Sequence, residues 1–543
     1  MGAGASVSIQ DELKKPLDAS DVDTPRGETA KAEVVRLRAL VAEKAKIMAV
    51  GAETTAAPCS SKKLTPESYL SANAVLKQIH SKEKSCVDVV TESLQRIEDT
   101  KIINACIEVL AESALAAAKA VDEKIAAGGT IRKLEGLPIF VKLNIEGPSG
   151  SLVTASTPGL ANFRPAKTAP IIQRLIDAGA IPIAKTNMPE MAVGLTGNSP
   201  IHGRCLNPIN LEYNCGGSSS GNASAIAAGI ASCGIGSDTA GSTRIPSALC
   251  GIVGFRPSKG RYSTEGVVPI TNLRDTPGPQ GVCVSDICLL DHIITGDELV
   301  QHNQDALKGK RIIIPHDWIK LKAKNGLSGD VEDSLKCMKS MLTDAGAEVI
   351  ETAEGMVSVI ESNKDTWPTP FLPVPAERQY QDLKAYTDRF TADELTIEDI
   401  QQSFSNAILR GMFKKLEGTD EELKAKFETR DEGVKKMETM YQEFMEKNNS
   451  SIIMVPACAQ EITKIDCENE SMKNFTNEYL FSFHMNECNN MPSIALPIRN
   501  IQHSTSGIPT ALLLYGSNDK ELLTMALCLE QQIWNHLDSK EII

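Results

Sequence analysis

Aromatic residues are scarce in this chain, which has 3 Trp, 8 Tyr and 12 Phe among its 543 residues. So few rings argue against a stacking platform for nucleic-acid bases. Basic residues are also outnumbered, with 56 Lys and Arg against 70 Asp and Glu, giving a formal net charge of −14. An acidic chain without a basic face is a poor match for a phosphate backbone. We therefore expect no nucleic-acid partner.

Paired cysteines and long apolar runs are absent from the sequence as well. The 14 cysteines form no CxxC pair and follow no regular spacing, which predicts reduced thiols and no metal site. No apolar run approaches the roughly 20 residues that span a bilayer. We therefore expect a cytoplasmic protein without a cofactor, and the sequence is compatible with a homodimer.

The N-terminal residues carry one targeting pattern. MGAGAS fits M-G-x-x-x-[ST], which predicts myristoylation of Gly2; the alternative is a flexible terminus of small residues. Residues 1–27 are polar and predicted to be disordered, 28–50 form an amphipathic helix, and 51–63 form a linker. One acyl chain anchors weakly, so weak peripheral membrane contact is the most this pattern supports. The apolar face of the helix could dock on the protein body or on a partner helix.

The remaining chain alternates between helix and strand. Gly136–Lys142 (GLPIFVK) predicts a buried strand that ends on a lysine, and a helix ending near Asp177 precedes the strand AIPIAK. A small-residue helix is predicted over Ala223–Ala231. Further strands are predicted at GIVGF, GVVPI, SIIMVPA and MPSIALPI. This alternation indicates an α/β fold, with one large domain over 64–543.

Residues 364–447 differ from the rest of that domain. The segment is charged and helical, and its first residues include Pro368, Pro370, Pro373 and Pro375. We interpret it as an insertion that covers a cleft, the alternative being a solvated helical face.

The region Cys215–Ser258 is crowded with Gly, Ser and Ala, and three interpretations compete for it. A phosphate loop requires a lysine after its glycines, and none is present. A dinucleotide fingerprint requires a third glycine where Thr239 stands. Residues 217–221 satisfy G-x-S-x-G, but the preceding NPINLEYNC is not the strand that a nucleophile elbow requires.

The same region closely resembles the amidase signature family of serine hydrolases. The family pattern GGSS[GS]G appears at 216–221, and G-[ST]-D-[TI]-G-G-S-[IVT]-R-x-P appears at 236–246 with one exception. The family's lysine motif, G-[VL]-P-x-x-[VI]-K, corresponds to 136–142. The resemblance covers about residues 66–530. It implies a mixed central β-sheet with helices on both faces.

The resemblance also implies a mechanism. Ser242 would attack an amide carbonyl, and Ser218 would relay its proton to Lys142. Ser218 would follow a cis peptide bond from Gly217. A serine nucleophile requires a base, no histidine lies in or beside the motifs, and a lysine can serve if burial keeps it neutral.

The turn before Ser242 supplies the remaining predicted site residues. Small side chains there would let backbone N–H groups reach the oxyanion of the tetrahedral intermediate. Two charged residues flank the turn and would hold it in place, although such a pair is more often a surface salt bridge. The predicted oxyanion donors are Thr239, Ala240, Gly241 and Ser242, and the supporting residues are Gly217, Asp238 and Arg244.

Three positions depart from the family pattern. Leu143 stands where the family usually has Asp, Ala240 where it has Gly, and Val282 where it has Arg. A Cβ at Ala240 would alter the turn if its backbone needs a positive φ.

The segment Arg261–Pro279 resembles the branch that contains indoleacetamide hydrolase and mandelamide hydrolase. This implies a small primary amide, such as an arylacetamide, as substrate, with Met191–Thr196 and the insertion lining its site. A fatty-acid-amide-type hydrolase and a membrane-tethered, non-catalytic amidase-like protein remain as alternatives.

Overall fold

The computed structural model describes residues 70–323, 326–351, 376–391, 394–405, 407–414, 420–465 and 491–539. The predicted acylation site, helix 28–50 and linker 51–63 lie outside these residues and stay predictions. The chain from residue 66 to residue 543 belongs to one structural unit. None of the described helices is long and apolar enough to cross a membrane.

Within the described residues, eleven strands form one mixed sheet. The strands are β1 (Cys106–Val109), β2 (Pro138–Lys142), β3 (Ile181–Thr186), β4 (Cys233–Asp238), β5 (Val253–Arg256), β6 (Thr276–Gly281), β7 (Arg311–Ile313), β8 (Glu348–Ile350), β9 (Ile452–Pro456), β10 (Ser493–Gln502) and β11 (Pro509–Gly516). Their order in the sheet is β1-β3-β2-β4-β6-β5-β10-β11-β9-β7-β8. The pairs β2–β3, β2–β4, β7–β8 and β7–β9 are parallel, and the other pairs are antiparallel.

The central strands are buried at every position. This holds for β2, β3, β4 and β11, whose successive side chains point to opposite faces of the sheet. Burial of both faces is typical of a sheet covered by helices on two sides. The predicted α/β fold with a mixed central sheet is confirmed.

Serine side chains cap the N-termini of two of the described helices. Ser71 and Ser85 cap the first two helices by accepting backbone N–H groups of Ala74 and Asp88. The α-helices are α1 (Ala72–His80), α2 (Cys86–Asp99), α3 (Ala111–Ala126), α4 (Pro170–Asp177), α5 (Ser220–Ala227), α6 (Arg244–Leu249), α7 (Val284–Thr295), α8 (His316–Lys322), α9 (Gly329–Asp344), α10 (Ala376–Thr387), α11 (Ile397–Ser403), α12 (Ala407–Met412), α13 (Asp420–Lys447) and α14 (Asp519–Ser539).

Two predicted elements differ from the structure. The helix predicted at Ala223–Ala231 begins at Ser220 and ends at Ala227, because Gly229 adopts a positive φ of 70° that ends the helix. The run GVVPI is not a strand. It makes a single bridge, from Val267 to Ile145, and otherwise runs as a loop.

A second, smaller hydrophobic cluster lies beside the ends of β2 and β3. Leu143 follows β2 and Met188 follows β3, and both belong to one cluster with buried side chains of α10–α12, including Leu383, Ile400 and Leu409. Helices α10–α12 of the segment 364–447 therefore pack next to the edge where these two strands end, whereas the buried residues of α13 belong to the main core.

Candidate active site

Two parallel strands bring Lys142 and Ser237 together. β2 and β4 are neighbours, with Val141 opposite Ile235, so their carboxyl ends meet at one edge of the sheet. Lys142 is the last residue of β2 and is completely buried. Its Nζ lies 2.9 Å from Ser237 Oγ and 3.5 Å from the Ser237 carbonyl oxygen. The lysine is thus held inside the protein by uncharged groups.

Ser218 contacts the same lysine. Lys142 Nζ is 2.7 Å from Ser218 Oγ, and the Gly217–Ser218 peptide bond is cis. The next residue ties this segment to β4, because the Ser219 hydroxyl donates to the Ser237 carbonyl at 3.2 Å. A Cβ on Gly236 would lie 2.5 Å from Ser219 Oγ. Glycine at this position is therefore required for the loop to reach the strand.

Ser242 lies in the turn between β4 and α6. It is almost completely buried, and its carbonyl oxygen accepts the Ser219 N–H at 2.9 Å. This bond connects the turn to the segment that carries Ser218. Gly241 has a φ of 110°, whereas Ala240 is not among the residues with a positive φ. The Cβ of Ala240 therefore does not strain the turn, and the glycine stands where the backbone requires it.

The structure differs from the sequence prediction at one of the four oxyanion donors. The Gly241 N–H donates to Asp238 Oδ1 at 2.7 Å, so it supports the turn and is not directed at a substrate. Within the described residues, the N–H groups of Thr239, Ala240 and Ser242 have no protein acceptor. These three remain as candidate donors.

The charges that flank the turn are buried and are not a surface pair. Asp238, Arg244 and Arg256 are all fully buried. Asp238 accepts from Arg244 Nε at 3.0 Å and lies 3.6 Å from Arg256 Nε. Burial alone would raise the pKa of Asp238, but Arg244, Arg256 and the Gly241 N–H outweigh it and lower this pKa to about 2. Asp238 therefore stays ionised and fixes the turn.

The environment of Lys142 favours its neutral form. Burial lowers the pKa of Lys142 to about 7, although the charges of Asp238 and Asp275 act in the opposite direction. A lysine with a pKa near neutrality can accept a proton from a hydroxyl under physiological conditions.

Three residues of this region were not predicted from the sequence. Ser237 contacts Lys142, and Asn144 Nδ2 donates to Ser237 Oγ at 3.0 Å. Asp275 accepts the hydroxyl proton of Thr239 at 2.6 Å. Ser237 stands inside the family motif at 236–246, so its position was a usable signal. Nothing in the sequence around Asp275 marks it, because its partner is 36 residues away.

Metal-ligating side chains do not cluster in the described part of the chain, where no group of three or more His, Cys, Asp or Glu could hold an ion. The polar groups around Lys142 are hydroxyls and amides, which suit a hydrogen-bonded proton relay.

Comparisons with known proteins place the chain in a family. The family model described as Amidase matches residues 88–524. Indoleacetamide hydrolase of Rhizobium radiobacter is 29% identical over 464 residues, covering 84% of this chain and 96% of the relative. Mandelamide hydrolase of Pseudomonas putida is 32% identical over 450 residues, covering 80% of this chain and 86% of the relative.

The fold agrees with a solved structure as well. Native peptide amidase from Stenotrophomonas maltophilia superposes with a TM-score of 0.72 at 22% identity, covering 86% of this chain and 98% of that one. The family match, the length of the aligned relatives and the common fold lead to one conclusion. The chain belongs to the amidase family of amide hydrolases.

Proposed function

We propose that this protein hydrolyses a small primary amide, such as an arylacetamide, to the carboxylic acid and ammonia through an acyl-enzyme on Ser242. The observation that carries the proposal is the buried contact between Lys142 Nζ and Ser218 Oγ, 2.7 Å long. It joins a lysine whose pKa is lowered to about 7 to a serine beside the turn that carries Ser242.

The first chemical step is attack by Ser242 Oγ on the amide carbon. Its proton passes to Ser218, whose own proton passes to the neutral amine of Lys142. The carbonyl oxygen becomes an oxyanion, which the N–H groups of Thr239, Ala240 and Ser242 would stabilise. Each such donor is typically worth about 2.7–4 kcal/mol.

The intermediate then collapses with cleavage of the C–N bond. The Lys142 ammonium returns a proton through Ser218 to the leaving nitrogen, and ammonia departs. A water molecule attacks the Ser242 ester by the same relay, the C–O bond to serine breaks, and the acid is released. Lys142, Ser218 and Ser242 are the catalytic residues in this proposal, while Gly217, Asp238 and Arg244 support them.

The small aromatic acyl group is the finer part of the proposal. Its support is the activity for which the two relatives, indoleacetamide hydrolase and mandelamide hydrolase, are named. The smaller hydrophobic cluster places apolar side chains, including Met191 and Ile270, near the edge of the sheet at which β2 ends. A small-molecule amide is the partner that this environment suits.

The test is hydrolysis of a panel of amides by the wild type and by Ser242→Ala. The panel contains indoleacetamide, mandelamide, an aliphatic primary amide and a long-chain fatty-acid amide, and ammonia release is measured. We expect turnover of the arylacetamides by the wild type and none by Ser242→Ala. Ser113→Ala, at an exposed position of α3, is the matched control.

Two outcomes would contradict the proposal. Equal ammonia release by the wild type and Ser242→Ala would exclude Ser242 as nucleophile. Preference for the long-chain amide would keep the reaction and replace the proposed substrate class with that of a fatty-acid-amide hydrolase.

A further inference from the structure

A carboxylate on the helical segment is bound to the loop that precedes β6. Asp382 of α10 is nearly buried. Its Oδ2 accepts the Asn272 N–H at 2.7 Å and the Thr271 hydroxyl at 3.1 Å, and its Oδ1 accepts the Asn272 side-chain amide at 3.2 Å. One carboxylate thus binds the backbone N–H of Asn272 and the side chains of both Thr271 and Asn272.

A second carboxylate organises the same loop from inside. Asp275 Oδ2 accepts the N–H groups of Ile270 and Thr271 at 2.8 and 2.9 Å. The carbonyl oxygen of Asp275 accepts from Lys259 Nζ at 2.7 Å. The loop 270–275 is therefore closed on itself by Asp275, and its outer side is held by the helical segment.

The loop reaches the catalytic turn through a side-chain contact. The Thr239 hydroxyl donates a hydrogen bond to Asp275 Oδ1, with 2.6 Å between the two oxygens. Thr239 is the first residue of the turn that ends at Ser242, and its own N–H is one of the three candidate oxyanion donors, so this bond ties the turn to the loop 270–275. A continuous set of charge-assisted hydrogen bonds thus runs from Asp382 to this turn.

We propose that Asp382 is a positioning residue for the reaction, because it fixes the loop 270–275 and through it the turn that carries Ser242. The inference rests on the proposed function of that turn. It assigns the helical segment a role in organising the catalytic backbone in addition to any role in covering the substrate.

The test is a double-mutant cycle with Asp382→Leu, Thr239→Val and the double variant. Each single change is expected to lower kcat about tenfold, with a smaller change in KM. Because the two residues act along one path, the double variant is expected to lose about tenfold as well, not about a hundredfold. Asp382→Asn keeps an acceptor for Asn272 and Thr271 and is expected to restore most of the kcat.

A second anchor of the same segment provides the matched control. Arg389 donates to the buried Glu146 at 3.0 and 3.2 Å, and within the described residues it forms no hydrogen bond or ion pair with the loop 270–275. Any loss of kcat in Arg389→Met is expected to multiply with that of Thr239→Val, since this anchor acts by a separate path.

Hydrogen exchange gives a readout that needs no activity. In Asp382→Leu, the amides of residues 239–243 are expected to exchange faster than in the wild type, and in Arg389→Met at the wild-type rate. Unchanged exchange in Asp382→Leu, or a multiplicative loss of kcat in its double variant, would overturn the inference. A wild type without Ser242-dependent hydrolysis would instead overturn the proposed function, whatever the exchange result.

Discussion

The pH dependence of hydrolysis follows from the burial of Lys142. Because the proposed relay needs the neutral amine, kcat/KM should rise with pH and level off above the pKa of this lysine. Burial lowers that pKa to about 7. About half of the molecules would then carry a neutral Lys142 near pH 7, against roughly one in 3,000 for a lysine with the ordinary pKa of 10.5.

The assay is kcat/KM for an accepted amide from about pH 5.5 to about pH 9.5 at constant ionic strength. One pH unit below the midpoint, about a tenth of the maximal rate should remain. A flat profile would refute lysine as the base. A rise centred at about pH 10 would refute the argument that burial lowers the pKa of Lys142.

Three further perturbations test separate features of the molecule. Ser237→Ala removes an acceptor from Lys142, so kcat should fall about tenfold and the midpoint of the pH profile should move to lower pH. Ala240→Gly should change kcat by less than about twofold, because the φ of Ala240 is not positive. Burial raises the pKa of Glu530 to about 8, so the native state holds this proton between about pH 4.5 and about pH 8, and stability falls as pH rises through that window. This shift is worth about 4 kcal/mol between about pH 5 and about pH 9, and a domain of this size has an unfolding entropy of about 1 kcal/mol per kelvin. Glu530→Gln should therefore raise Tm relative to the wild type by about 4 °C more at about pH 9 than at about pH 5.

Each of these has its own contradicting result and measurement. A pH profile of Ser237→Ala that keeps the wild-type midpoint would show that Ser237 does not act on Lys142. A large gain or loss of kcat in Ala240→Gly would show that this Cβ constrains the turn. Thermal unfolding that shows the same Tm difference for Glu530→Gln at both pH values would exclude Glu530 as a titrating group, with Glu123→Gln on α3 as the exposed control.

Local sequence was sufficient where a segment's own pattern decides its structure. The run before Lys142 is short, apolar and β-branched, so it predicts a buried strand, and β2 ends on that lysine. The motif residues were found because their order along the chain matches a family pattern. Their spatial proximity depends on the parallel pairing of β2 and β4, which brings together Lys142 and Ser237 although 95 residues separate them.

Local sequence failed where distant partners decide the structure. β6 contains Pro277 and Pro279, which favour a loop, yet the strand pairs with β4 along its whole length. The apolar run GVVPI favours a strand, but Val268 donates its N–H to the Asn144 carbonyl within a loop. The role of Gly241 could not be predicted either, since its N–H bonds with a side chain whose orientation depends on two buried arginines.

The most direct test of catalysis by Ser242 is detection of the acyl-enzyme. The wild type is mixed with an arylacetamide, quenched in acid during turnover and digested for mass spectrometry. We predict that the peptide containing Ser242 gains the mass of the acyl group, that Ser242 carries it, and that Ser242→Ala gains none. An acyl group on another residue, or steady turnover with no acylated peptide at any quench time, would contradict the proposed mechanism.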